Sequence, residues 1–193
     1  PSSSYSPAGN VTTNDNNSYD SAPDVNTAAS SDTAVKQDSG ANGLVMLQAE
    51  KHNANVDGSG HSWVRANQDG VAAMGAVPDS GVRIASGYVS NSPYLQFDVN
   101  FVKTGPHYVW LRGHCMGKDN SAHVGLDRRA ISTSQNITLP VKNSWQWSGA
   151  MGSGQRAYFN VTKTGVHTVE VYMREDGFIL DQVRIATSPG YRP

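Results

Sequence analysis

The sequence predicts an all-β domain, a β-sandwich of antiparallel strands, behind a polar and disordered N-terminal linker. Three observations carry that expectation. Leu95, Phe97, Val99 and Phe101 alternate with polar residues, the period of a strand with one face in a core. The same grammar returns downstream, where Phe159 to Val161, Thr164-Gly165 and Thr168 to Met173 repeat strand, turn and strand. Residues 1–43, by contrast, contain no Leu, Ile, Phe, Trp or Met. Such a segment cannot bury enough apolar surface to offset its ordering entropy.

Taken in order, residues 1–43 read as a linker of the kind that tethers modules in secreted, multidomain proteins. A plain terminus without a tethering role is the alternative. The body begins abruptly at Leu44-Val45-Met46-Leu47. Candidate strands follow at 44–50, 62–66, 81–85, 94–101, 107–112, 122–126, 137–141, 156–161, 167–174 and 178–186. Turn signals separate them, among them Asp57-Gly58, Asp69-Gly70, Thr104-Gly105-Pro106 and Asp176-Gly177. No stretch of ten residues shows an apolar period of 3.6. Short strands at this spacing argue for a sandwich over residues 44–187. Pro189-Gly190-Tyr191 places the start of a further linker at 188–193.

Composition bounds the function. The chain has 193 residues and a net charge of −1. The first 43 residues hold five Asp and one Lys, a charge of −4, so the body carries +3. That is no strong footprint for nucleic acid. No apolar run approaches the ~18 residues of a membrane helix. Cys115 is the single cysteine, which excludes an intramolecular disulfide and a paired-Cys zinc site. His114 beside it has no second ligand at zinc spacing. The chain opens inside a polar tract, as expected of a processed or excised piece of a longer secreted or cell-surface protein. A monomer is expected, without nucleic-acid or membrane partners.

Two strands carry polar residues on apolar faces. Ile179, Asp181, Val183 and Ile185 share one face of the last strand; Leu44, Met46, Gln48 and Glu50 share one face of the first. A carboxylate on an apolar face is costly unless paired or metal-bound. If these strands adjoin, Gln48, Glu50 and Asp181 converge as oxygen ligands suited to Ca²⁺. The alternative is that both carboxylates face water or pair with Arg.

Trp110 lies inside a strand and is expected in the core. Trp63 adjoins a Gly-rich turn, and Trp145 and Trp147 flank Gln146 in a polar loop. Loop-borne Trp residues offer flat apolar surfaces to a pyranose ring, although one of this pair is expected to cover a core edge. Two further loops, Arg112 to Asn120 and Arg174 to Gly177, supply Arg112, Asp119, Asn120, Arg174 and Asp176 for hydroxyls or a uronate carboxylate. Ordinary turn chemistry is the alternative for both.

Together these residues resemble a known type of module. Glu50 in "LQAEKH" is similar to the "EAE" opening of the family 6 and family 35 carbohydrate-binding modules, and "FILDQVRI" resembles their last strand. Closer still is the C-terminal module of the family 115 glycoside hydrolases, through "SPYLQFDVNFVKTGPHYVWLRG", "DNSAHVGLD" and "HTVEVYMREDGFILDQV". The resemblance covers residues 44 to about 187. It implies a jelly-roll β-sandwich with a structural Ca²⁺ at Gln48, Glu50 and Asp181, and sugar-binding loops at one edge. One departure is Ile179, where related modules often carry Asn; Arg174, Glu175 or Asp176 would take over that contact.

The resulting expectation is a non-catalytic carbohydrate-binding module. It would target a plant or algal polysaccharide for a neighbouring catalytic domain in a secreted protein. A hydrolase would need two carboxylates facing each other across a cleft, and Glu175-Asp176 are mere sequence neighbours. A polysaccharide lyase, with His114 or His123 as base and Arg112 neutralising the uronate, is the other enzymatic alternative, although no lyase motif is present. A structural or adhesin module without a sugar site is the third reading. The mildly basic body favours an acidic glycan.

Overall fold

The computed structural model describes residues 33–117 and 120–193. Of the linker expected over residues 1–43, residues 1–32 therefore lie outside the described residues. Two mostly antiparallel sheets face each other across one apolar core, as the alternation predicted. The first sheet contains β1 (Val35–Lys36), β3 (Ala54–Val56), β6 (Tyr94–Phe101), β8 (Ser121–Leu126), β9 (Arg129–Ala130), β10 (Ile137–Thr138) and β13 (Gly165–Met173). The second contains β2 (Val45–Gln48), β4 (Ser62–Gln68), β5 (Val71–Val77), β7 (Gly105–His114), β11 (Gln146–Ser148), β12 (Tyr158–Val161) and β14 (Ile179–Ala186). A short helix, α1 (Tyr88–Asn91), precedes β6.

The period of two does the sorting. In β6, Leu95, Phe97, Val99 and Phe101 are buried in the core. In β7, Val109 and Leu111 point inward at 0% exposure, while Tyr108, Trp110 and Arg112 between them are half-buried. Trp110 is thus not a core residue. It belongs to the outer face of the second sheet. Asp69 (φ 53°) and Gly70 (φ 79°) close the β4–β5 hairpin with the left-handed backbone that a tight two-residue turn requires.

Several elements differ from expectation. No strand forms over 81–85, where only Arg83 bridges to Glu175. Strand β5 was not foreseen, because Ala72, Ala73, Gly75 and Ala76 carry little β-propensity. In β2 the core face is Val45, Leu47 and Ala49, while Met46 and Gln48 are exposed. The expected stripe of Leu44, Met46, Gln48 and Glu50 is therefore one residue out of register with the core. In β14 the register slips between Leu180 and Gln182, so Asp181 is the extra residue of a bulge. Leu180 before the bulge and Val183 after it both reach the core.

The ends of the domain also lie beyond the expected limits. Val35–Lys36 pairs in parallel with Val99–Asn100 of β6, and Gln37 is 1% exposed. Ordered structure thus takes in residues that composition assigned to the linker. The Tyr191 hydroxyl sits 3.1 Å from Nη1 of Arg184, and Arg192 stacks over Trp110. The segment read as the start of a second linker folds back on the second sheet.

Candidate functional site

The expected sugar-binding residues do not form one group. Trp63 is 2% exposed in the core, and its indole N–H donates to the Pro93 carbonyl at 3.2 Å. No ligand ring can stack on it without opening the core. Asp176 is fully buried and holds a loop in place. It accepts from the amide and hydroxyl of Ser80 at 2.7 and 2.9 Å and faces the His61 imidazole at 3.2 Å. Burial pushes its pKa up, but the hydrogen bonds outweigh this and hold it below the ordinary carboxylate value.

Arg174 and Asn120 do meet, through Glu175 and Ser121. Arg174 donates to Glu175 and Ser121, each at 2.7 Å. The other Glu175 oxygen accepts from the Asn120 amide at 2.9 Å and the Ser121 hydroxyl at 2.8 Å. These groups are committed to each other and close a corner of the first sheet. Asp119 lies outside the described residues.

Arg112, Trp145 and Trp147 come together at the β7–β11 edge of the second sheet. Trp147 stands opposite Arg112 in the ladder. The Arg112 guanidinium lies 5.1 Å from the Trp145 ring centroid and donates to the buried Asp181 carboxylate. Trp145 donates its indole N–H to the Gln68 carbonyl at 3.1 Å, which fixes the ring against the β4–β5 hairpin.

From this edge a row of outward residues crosses the sheet: Trp147, Arg112, Gln182 and Gln48. The next row is Trp110, Arg184 and Met46, and the one after it Tyr158, Tyr108 and Ala186. Trp147, Trp110, Tyr108 and Tyr158 are all half-buried, so each shows solvent part of its surface. Gly149 lets Trp110 lie close to the strand, since a Cβ there would stand 2.7 Å from the ring.

Two shallow clefts open between these rings. One, of about 340 Å³, has Trp110, Trp147, Pro140, Arg156 and Arg192 among its walls. The other, of about 360 Å³, lies between Tyr108, Tyr158, Met151 and Thr133 and shares Arg156 with the first. Arginines lie over the rings: Arg184 over Trp147 at 4.8 Å, Arg156 over Tyr108 at 4.7 Å, and Arg156 and Arg192 over Trp110 at 5.5 and 5.3 Å. Of the residues on this outer face, only Trp147 and Arg112 are among the ligand contacts expected from sequence. The signal was present, because Tyr108, Trp110 and Arg112 alternate with His107, Val109 and Leu111.

The outer face of the first sheet is covered instead. Tyr88 of α1 stacks on His123 at 3.9 Å, and Arg128 lies 4.3 Å over Tyr94. Glu170 and Tyr172 beneath them are 0% exposed.

The proposed calcium ligands can be tested on donor chemistry. Glu50 sits in the short turn Ala49–Lys51, which packs against β14 and β5. Its Oε2 is buried without a hydrogen-bond partner, a costly state that a cation would relieve. Gln48 stands opposite Gln182, the residue after Asp181. Asp181 gives one oxygen to Arg112 and keeps the other. The unmet acceptor of Glu50 is what a cation would answer there; Asp181 is already paired with Arg112, Gln48 is exposed, and no cluster of three or more His, Cys, Asp or Glu that could hold a metal occurs among the described residues.

Residues 39–192 match the model of the glycosyl hydrolase family 115 C-terminal domain. The chain belongs to this family. A relative from Formosa agariphila, protein P23, is 28% identical over 187 residues, covering 78% of the chain and 45% of P23. The chain thus spans under half of that relative's length. Among solved structures, the C-terminal CBM6 of LamC, a marine laminarinase from Zobellia galactanivorans, aligns with a TM-score of 0.50 at 14% identity. That alignment covers 75% of this chain and 99% of the module. A family 35 carbohydrate-binding module from Clostridium thermocellum aligns at 0.49 and 14%, covering 74% of the chain and 96% of the module. At such identities the likeness to LamC bears on the fold: this family 115 C-terminal domain is a sandwich of the kind seen in that module.

Proposed function

We propose that this family 115 C-terminal domain is a non-catalytic carbohydrate-binding module. It holds a plant or algal polysaccharide near a catalytic domain joined to it in a secreted protein. One observation carries the reading. Trp147, Trp110, Tyr108 and Tyr158 lie on one solvent-facing sheet, with clefts between them. Flat aromatic faces suit the C–H face of a pyranose, and the intervening Arg and Gln side chains suit its hydroxyls. The glycan lies across the outer face of the second sheet, with Arg112, Trp145 and Trp147 at one edge.

The names of the solved neighbours support a sugar-binding role. The non-catalytic reading draws on the buried carboxylates: Glu175, Asp176 and Asp181 are each engaged by the chain's own donors. Gln48, Glu50 and Asp181 bind a structural Ca²⁺, which supplies positive charge where the first and last strands meet.

The test is affinity electrophoresis of the whole chain through gels containing neutral and charged polysaccharides. At least one glycan retards the parent, and Trp147→Ala loses about 2 kcal/mol or more of that binding. Failure of every glycan to retard the parent would point to a spacer. New reducing ends or unsaturated products would point to an enzyme.

A further inference from the structure

On the same outer face Arg112 is paired with Asp181, but three other arginines lack counter-ions. Arg156, Arg184 and Arg192 make no ion pair with a carboxylate among the described residues. Arg156 and Arg192 share the Trp110 ring at 5.5 and 5.3 Å, and both donate to the Pro189 carbonyl. Two like charges are thus held together with no acid between them. Burial, and then the neighbouring Arg192, hold the pKa of Arg156 below the ordinary arginine value.

The face also has donors to spare. Nη2 of Arg156 and Nε of Arg184 are buried without an acceptor. A buried N–H without a partner is costly, and a guanidinium N–H is matched best by a planar or tetrahedral oxyanion. Arg156 lines the Trp110–Trp147 cleft and Arg184 lies over the Trp147 ring, so the spare donors belong to guanidinium groups that border the place of a ligand.

We propose that the ligand is an anionic polysaccharide. Its carboxylate or sulfate is held by Arg156 and Arg192, while its sugar rings lie against Trp110 and Trp147. This rests on the sugar-binding reading above and adds the charge of the substrate. Carboxylate and sulfate share the chemistry that the face asks for. Single-stranded nucleic acid also combines stacking with negative charge, but the body carries only +3 and the cationic face is one short cleft.

The experiment is fluorescence titration of the full 193-residue chain. The probes are polygalacturonate, dextran sulfate, neutral dextran, polyaspartate and an oligothymidylate. Polygalacturonate or dextran sulfate binds, and whichever binds more tightly identifies carboxylate or sulfate. Neutral dextran, polyaspartate and oligothymidylate bind at least tenfold more weakly. Arg156→Gln combined with Arg192→Gln raises the Kd at least tenfold, and Lys36→Gln on the other sheet leaves it unchanged. If circular dichroism shows the double variant unfolded, Arg192→Gln alone, at an exposed position, still weakens binding severalfold.

Three results would overturn the proposal. Polyaspartate or oligothymidylate binding as tightly as the glycans would mean charge without sugar recognition. A neutral glycan bound best, with no effect of the arginine variants, would end the anionic reading and leave the module reading intact. No binding to any polysaccharide would end both.

Discussion

The Gln37 amide uses all of its hydrogen-bonding capacity, and one partner is Nε2 of His107, 2.8 Å away. Its nitrogen also donates to the Gly43 carbonyl at 2.9 Å, and its oxygen accepts from the amides of Val102 and Lys103 at 2.9 and 3.0 Å. His107 donates from Nδ1 to the Gly105 carbonyl at 2.9 Å, so its Nε2 is the acceptor of the pair. Burial lowers the pKa of His107, which keeps it in this neutral form. Gln37 thus ties the residues before β2 to the β6–β7 turn.

Removing that clasp is expected to destabilise the domain. A chain starting at Leu44 leaves the Val102 and Lys103 amides and His107 without these partners, at a cost of about 2–3 kcal/mol. A chain starting at Thr33 keeps them. Urea melts of the two truncations decide the point: equal midpoints would show that Gln37 contributes nothing.

Chelation is expected to lower the melting temperature, because a cation that binds the folded state alone adds stability by mass action. Glu50→Gln should reduce the effect of the chelator. Differential scanning calorimetry with and without excess EDTA, paired with elemental analysis, makes the measurement. Superimposable melts with no bound metal would reject calcium at Gln48, Glu50 and Asp181.

The tryptophans should divide by role. Trp63→Ala empties a core site and is expected to cost about 3–5 kcal/mol of stability. Trp147→Ala, at a half-buried position, should cost far less stability and most of the glycan binding. A Trp147→Ala variant that unfolds like Trp63→Ala would place Trp147 among the structural residues.

Two buried groups on the first sheet set opposing pH dependences. Burial pushes the Glu170 carboxyl up from 4.5 to about 7, so its contribution to stability is present below pH 4.5 and is lost as pH rises through 7. Burial lowers His123 to about 4 from 6.5, so its contribution is present above pH 6.5 and is lost as pH falls towards 4. The hydrogen bonds agree with a neutral ring: the Asn136 amide donates to Nδ1 of His123 at 3.2 Å, and Nε2 donates to the Ile84 carbonyl at 2.9 Å. The two trends offset each other between pH 4.5 and 6.5. Glu170→Gln removes one of them, so relative to the parent the variant gains on the order of 3 kcal/mol between pH 4 and pH 8, at ~1.4 kcal/mol per pH unit. A constant difference across that range in urea melts would refute the assignment.

The strands that alternate strongly were legible in the sequence. In β6, β7 and β13 the apolar period is long, and each ends at a recognisable turn. Strand β5 was hidden because its small residues carry little side-chain signal, although the Asp69-Gly70 turn that creates it was visible. The first strand was read one residue out of phase, since Leu44-Val45-Met46-Leu47 is apolar throughout and period two has no anchor there. The Asp181 bulge breaks phase inside a strand, which no fixed period can report. The site suffered from the usual association of Trp with cores and loops. Trp110 faces outward because its neighbours Val109 and Leu111 fill the inner face. Trp63, beside a Gly-rich turn in sequence, belongs to β4 and packs against Pro93.

Alternation in β7 and β14 gives one stretch of chain two separate jobs. Val109, Leu111, Val183 and Ile185 answer to the core, while Tyr108, Trp110, Arg112, Gln182 and Arg184 answer to whatever touches the sheet. Substitutions on the outward set leave inward packing untouched, so ligand preference can drift over generations without endangering the scaffold. A library randomised at positions 108, 110, 147, 156 and 184 should therefore yield mostly folded proteins with divergent binding.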